Sequence, residues 1–349
     1  MNPYQKIVAN EADGERLPRF NHYVPEFILN NFAPSGKVCV FDKHTLKEFK
    51  LPPRRAMGER DYNNVRMDDV VVSFENRFTH IENLAAPIIS EIIKTKTLDS
   101  LDAMDVAKLH LFVVVGLMRS KSRRLDQDLV VNEVRKRWPE AQLNPHPERI
   151  SDLELAKLAA LKATFDGLEE LAKPLALKHL MLMVRDCKDN LYISDNPLVM
   201  HDERSFGPYG NIGLAVPGVE IYYPLSPNDV LAYLCPTSMK NIEDKQAEAE
   251  KYASSFFSRR MLSLTGISQA DTLTLANLRE EIQRGKNHYH LMKDKRLVPM
   301  DAQNVLYLNS LQVSSSHRFI AAAKPDFQFA KRAIHERPHW KEGVRIQVA

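Results

Sequence analysis

The run Leu109-His110-Leu111-Phe112-Val113-Val114-Val115-Gly116-Leu117-Met118 constrains this chain more than any other feature. It is about half of the ~20 residues that cross a bilayer. A helix that is apolar on every side must therefore lie inside a sizeable folded core. The rest of the chain can supply one. Its 349 residues are 44% hydrophobic and 27% charged, too apolar to stay disordered. Length allows one large domain or two of ordinary size, and no internal repeat is visible.

Charge and cysteine content exclude little but narrow the setting. Lys and Arg total 48 against 45 Asp and Glu, so a nucleic-acid partner would have to be met by local basic clusters. Three scattered cysteines form neither a C-x-x-C pair nor a disulfide framework, which fits a reducing, cytoplasmic protein. Residues 1–20 read as a polar lead-in with no signal-peptide pattern, and no membrane association is expected.

The remaining 21–349 read as one composite α+β domain, mostly helical, with a small antiparallel sheet. Lys37–Phe41 and Leu46–Leu51 are expected to form a hairpin across Asp42-Lys43-His44-Thr45. A helical block spans 65–172; in it Phe74, Phe78, Ile81, Ala85, Ile88 and Ile92 recur at helical steps after an N-cap at Ser73. A β-rich part, 179–236, contains His179–Arg185, Leu191–Ser194 and a pair, Val219–Tyr223 and Val230–Cys235, turning through residues 224–229. The helical C-terminal part, 239–349, has helices over Asn241–Leu264 and Asp271–Arg284, the latter ending at Gly285. Strands grouped between helices, without βαβ alternation, give the α+β class.

Several polar positions are candidates for chemistry, each with a structural alternative. In His22-Tyr23-Val24-Pro25 the proline makes the segment extended, so His22 is either a ligand or base, or a packed loop histidine. Glu75 and Glu82 lie seven apart, about two turns, on one helix face. They suit a cation site or general base, or a wet surface. Arg119 begins a cluster with Lys121, Arg123 and Arg124, read as phosphate-binding or as a helix C-terminal charge. Lys331 and Arg332 belong to a second basic stretch that includes Trp340, either a nucleic-acid contact or a solvated tail. Ser194-Asp195-Asn196-Pro197 is either a sharp turn or a turn that displays a carboxylate. Gly207, Gly210 and Gly213 match no phosphate-loop spacing and read as a covering loop. His288-x-His290 puts both rings on one face if the segment is a strand.

The His-Tyr-Val-Pro opening followed by Phe27, Leu29 and Asn31-Phe32-Ala33 resembles the opening of a widespread, mainly bacterial family, domain-of-unknown-function family 4238. Val40-Phe41-Asp42, Ile81-Glu82, Arg119, Ile193-Ser194-Asp195-Asn196-Pro197 and Pro224-Leu225-Ser226-Pro227 complete the pattern over about residues 20–325. Glu26 departs from it, where a glutamine or similar residue is expected. The resemblance carries no established activity. It implies that His22, Glu82, Arg119, Asp195 and Asn196 form one constellation.

The expected function is a metal-dependent phosphodiesterase, most specifically a nuclease. His22, Glu82 and Asp195 would hold Mg2+ or Mn2+, Arg119 would hold a phosphate, and Lys121, Arg123, Arg124, Lys331 and Arg332 would track nucleic acid. The alternatives are a non-enzymatic ligand-binding or sensor module, with these residues as a structural network, and a small-nucleotide hydrolase.

Overall fold

In the computed structural model, which describes residues 19–139, 144–202, 213–261 and 269–343, two sheets share a helical core. The α+β class is as expected. The larger sheet contains β7 (His179–Arg185), β9 (Val199–His201), β10 (Glu220–Ser226), β11 (Asp229–Leu234) and β12 (Leu297–Met300), in the order β12-β7-β11-β10-β9. Alternation sorts its two faces. Leu180, Leu182, Ile221, Tyr223, Leu231 and Tyr233 face one core; Met181, Met183, Tyr222, Val230, Ala232 and Leu234 face a second. The smaller sheet joins β2 (Val38–Asp42), β3 (Lys47–Leu51), β8 (Ile193–Ser194) and β13 (Phe319–Ala322) in the order β3-β2-β13-β8.

The apolar helix is α3 (Ala103–Met118), capped by Asp102, whose carboxylate accepts the Asp105 N–H at 2.8 Å. Ten of its residues are buried, as its composition requires. It packs against α2 (Glu75–Thr95) and the first face of the larger sheet. No described helix is long and apolar enough to cross a membrane.

Elsewhere the structure corrects the sequence expectations. Strand β10 runs on through Pro224 to Ser226, with an irregular register between these two residues. Such an irregularity is where a sheet accommodates proline. Gly285 does not end its helix but lies inside α8 (Gln269–Lys295). A Cβ there would come within 2.5 Å of Oε1 of Gln246 on α7 (Pro236–Met261), so glycine leaves room for the end of that side chain. His288 and His290 consequently sit on a helix, where a two-residue step of about 200° separates their side chains. Gly207 and Gly210, and most of the polar lead-in, lie outside the described residues.

Burying His110 has a measurable consequence. The ring is 3% exposed, packs on Tyr233 and has its pKa depressed by desolvation to about 4. Below pH 6.5 the unfolded chain takes up a proton that the folded one refuses, so acid favours unfolding. The loss accumulates from pH 6.5 downward and reaches about 3 kcal/mol near pH 4. Urea unfolding of wild type and His110→Phe at pH 7 and 4.5 checks this: the stability difference between the proteins should shift by about 2.4 kcal/mol toward the variant.

Candidate functional site

The site is assembled where α2, α3 and two short N-terminal strands meet. His22 ends β1 (Phe20–His22), which pairs with β4 (Gly58–Arg60) so that His22 faces Gly58. A Cβ at Gly58 would lie 2.6 Å from the Phe20 ring and 2.8 Å from the Asn21 carbonyl, so this approach requires glycine. The imidazole is half-buried and hydrogen-bonds the Pro53 backbone, which offers only a carbonyl. Nε2 has no partner among the described residues, so Nδ1–H is the donor and Nε2 carries the lone pair. Burial, the largest influence, lowers the His22 pKa; Glu26 pulls it upward and Arg119 adds to the lowering. The ring is therefore neutral at pH 7.

Arg119 follows the last turn of α3 and is 1% exposed. Its Nη1 pairs with Glu82 on α2, and its guanidinium lies 5.4 Å from the Phe78 ring centre. Nε and Nη2 are buried and have no hydrogen-bond partner among the described residues. Its backbone carbonyl accepts the Tyr62 hydroxyl at 3.0 Å. Glu75, two turns before Glu82, accepts the Asn63 amide at 2.6 Å. Burial raises the Glu75 pKa, Asn63 and Arg119 pull it down, and the Glu82 charge raises it further. Tyr223 on β10 belongs to the same cluster: the charges of Arg119 and Glu82 act on it, and its buried hydroxyl has no partner among the described residues. Its ring packs over Gly116, where a Cβ would meet Tyr223 Cε2 at 3.0 Å. A neutral base, a buried guanidinium and two carboxylates thus meet around polar atoms left unsatisfied. His22 and Glu82 are partly exposed and form the outer edge of the cluster, whose unpartnered nitrogens are themselves buried. Tyr62, Asn63 and Tyr223 carried no motif; the sequence marks them only as an aromatic and an amide among turn and strand residues.

Asp195 is employed differently. It is completely buried, and its two oxygens accept the N–H groups of His317, Arg318 and Phe319 at 2.7, 2.7 and 2.8 Å. Burial raises its pKa against the pull of those donors and of Lys43. Ser194 donates to Gln312 at 2.7 Å, and Gln312 donates to the Pro197 carbonyl at 2.9 Å. Asn196 Nδ2 reaches the Ser315 carbonyl at 3.4 Å, with Oδ1 buried and unpartnered. The turn therefore ties β8 to α9 (Ala302–Ser315) and the start of β13. The expected metal set of His22, Glu82 and Asp195 does not assemble: the Asp195 oxygens are taken by backbone donors. Among the described residues no group of three or more His, Cys, Asp or Glu is placed to hold a metal ion.

The basic candidates divide as well. Lys121 pairs with Glu59 at 2.8 Å and lies over the Tyr62 ring, as does Arg124; Arg123 is exposed. All three start α4 (Lys121–Arg137), directly after Arg119. Lys331 pairs with Glu48 at 2.7 Å, and Arg332 is exposed, on α10 (Gln328–Glu336), which packs on the far face of the smaller sheet.

Compared with protein families, residues 21–326 match the profile described as Protein of unknown function (DUF4238). The chain belongs to the DUF4238 family. That match covers every residue named in the His22–Arg119 cluster and the Asp195 turn, so both are features of the family's domain in this chain. Comparison with curated proteins and with solved structures returns no match.

Proposed function

We propose that this DUF4238 protein hydrolyses phosphate esters at the His22–Arg119 cluster, acting as a phosphodiesterase with nucleic acid as the first polymer to test. One observation supports the reading: among the described residues, neither Nε2 of neutral His22 nor Nε and Nη2 of buried Arg119 beside it has a hydrogen-bond partner. A phosphoryl group bound to those two nitrogens would be held by a planar fork. Water would attack phosphorus and break the P–O ester bond, giving its proton to His22 Nε2. The departing oxygen would take a proton from Glu75, whose burial favours the protonated form. Arg123 and Arg124, next to the cluster, are the residues best placed to steer a phosphate backbone.

The assay is cleavage of single- and double-stranded DNA and RNA and of a simple phosphodiester, with EDTA and with Mg2+ or Mn2+. His22→Ala should lower the rate by ~10²–10³-fold. Because the His22 pKa is lowered, the acid limb of kcat/KM should fall below pH 6.5. No turnover on any substrate, or a full rate in His22→Ala, would overturn the proposal. The competing reading, a non-enzymatic module with a structural polar network, is favoured by the near-complete burial of Arg119. It requires His22→Ala to lower Tm while leaving nothing catalytic to lose.

A further inference from the structure

A cavity of about 310 Å³ lies apart from the His22–Arg119 cluster and shares no residue with it. It lies between the first half of α3, the turn Lys173–Leu177, the start of β7 and the end of α8. Its volume falls within the range of small-molecule sites. Among the described residues, the ionisable ones that line it are His110, Lys178, His179, Lys293 and Arg296, with no Asp or Glu. Val106, Leu175 and Met292 supply apolar wall.

Nearby groups only partly occupy these cations. Lys178 Nζ donates to the Val219 carbonyl at 2.7 Å with the charges of Glu220 and Asp202 acting on it from outside the lining, and Lys293 is 3.9 Å from Glu243 across the exposed rim and lies over the Tyr289 ring. Arg296 uses Nη2 on the Leu98 carbonyl. Its backbone is left-handed, at φ +50°, and its carbonyl accepts the Leu182 N–H at 2.8 Å. Residues other than glycine hold such a conformation where surrounding structure imposes it. Here it sets an arginine at the junction of α8 and β12, against the cavity.

The geometry points to a binding site for a small phosphorylated molecule, its phosphate among Lys178, Lys293 and Arg296 and its uncharged part on the apolar wall. Three cations of different reach suit the several oxygens of a phosphate, and none of the described lining residues is a carboxylate that would repel it.

Isothermal titration with pyrophosphate at low salt, alongside inorganic phosphate and sulfate, tests the site. Pyrophosphate should bind, raise Tm and weaken as salt is added. Arg296→Gly, which suits the left-handed backbone, and Lys178→Gln should each weaken binding at least ~10-fold. Lys293→Gln changes only an exposed side chain, so any weakening there cannot come from unfolding. Failure of pyrophosphate to bind wild type, or equal binding by all three variants, would overturn the inference. So would loss of binding in His22→Ala with normal binding in Arg296→Gly, which would place the anion at the other cluster. Binding is the readout throughout, so absence of phosphodiesterase activity leaves this test intact.

Discussion

Replacing Asp195 with alanine should remove about 3–5 kcal/mol of folding stability, a large part of the 5–15 kcal/mol typical of a folded domain. The carboxylate has no solvent contact, and it is the acceptor for three consecutive backbone N–H groups at 2.7–2.8 Å. Alanine would leave those donors without that acceptor in an interior where each costs roughly 1–3 kcal/mol unpaired. It would also remove the negative charge that faces buried Lys43. Asp195→Asn keeps the volume but turns an NH2 toward N–H donors, so it should recover only part of the loss. Urea midpoints at constant m-value measure both variants. A shift of the alanine variant worth less than about 1 kcal/mol would show that the turn is not a structural knot. Any fall in activity of Asp195→Ala should follow its loss of folded protein.

Lys43→Met should be comparably damaging, at about 3–5 kcal/mol. Its ammonium is fully buried and donates to the carbonyls of Val313, Ser316 and Trp340 at 2.9, 2.6 and 2.6 Å. Those are as many bonds as an ammonium has protons. Methionine fills similar space but supplies no donor, leaving three carbonyls without this partner. The bonds reach from the β2–β3 turn to the end of α9 and the turn Pro338–Lys341, so the C-terminal turn should also loosen. Limited proteolysis near Trp340 reads that loosening; unchanged protection together with unchanged stability would refute it. Lys43 and Asp195 act on the same join, because they hold the two ends of one peptide unit: Lys43 donates to the Ser316 carbonyl at 2.6 Å and Asp195 accepts the His317 N–H at 2.7 Å. Their effects should therefore be non-additive in a double-mutant cycle.

The Ser-Asp-Asn-Pro turn shows why the sequence did not disclose the site. A buried carboxylate that collects N–H groups and a carboxylate that holds a metal use the same residue type. Only the positions of His317, Arg318 and Phe319, more than 120 residues away, tell them apart. The Glu75–Glu82 face was legible because helical periodicity is local, and Arg119 was legible because it closes an apolar helix. Tyr223, Asn63 and the free Nε2 of His22 were not, since their roles depend on which atoms remain unpaired after packing. Strand β12 was missed because it pairs in parallel with β7, more than 110 residues earlier, and a four-residue strand without such a partner carries little signal of its own.

Local sequence by itself settled the all-round burial of α3, the β2–β3 hairpin, the α+β class and the family. Each rests on short-range periodicity, turn chemistry or a run of neighbouring residues. Tertiary structure decided that His22, Glu82 and Arg119 meet, that Asp195 serves the backbone, and that Lys178, Lys293 and Arg296 share a cavity. Those outcomes depend on contacts between distant segments, and no pattern within one segment encodes which polar atoms end up facing each other.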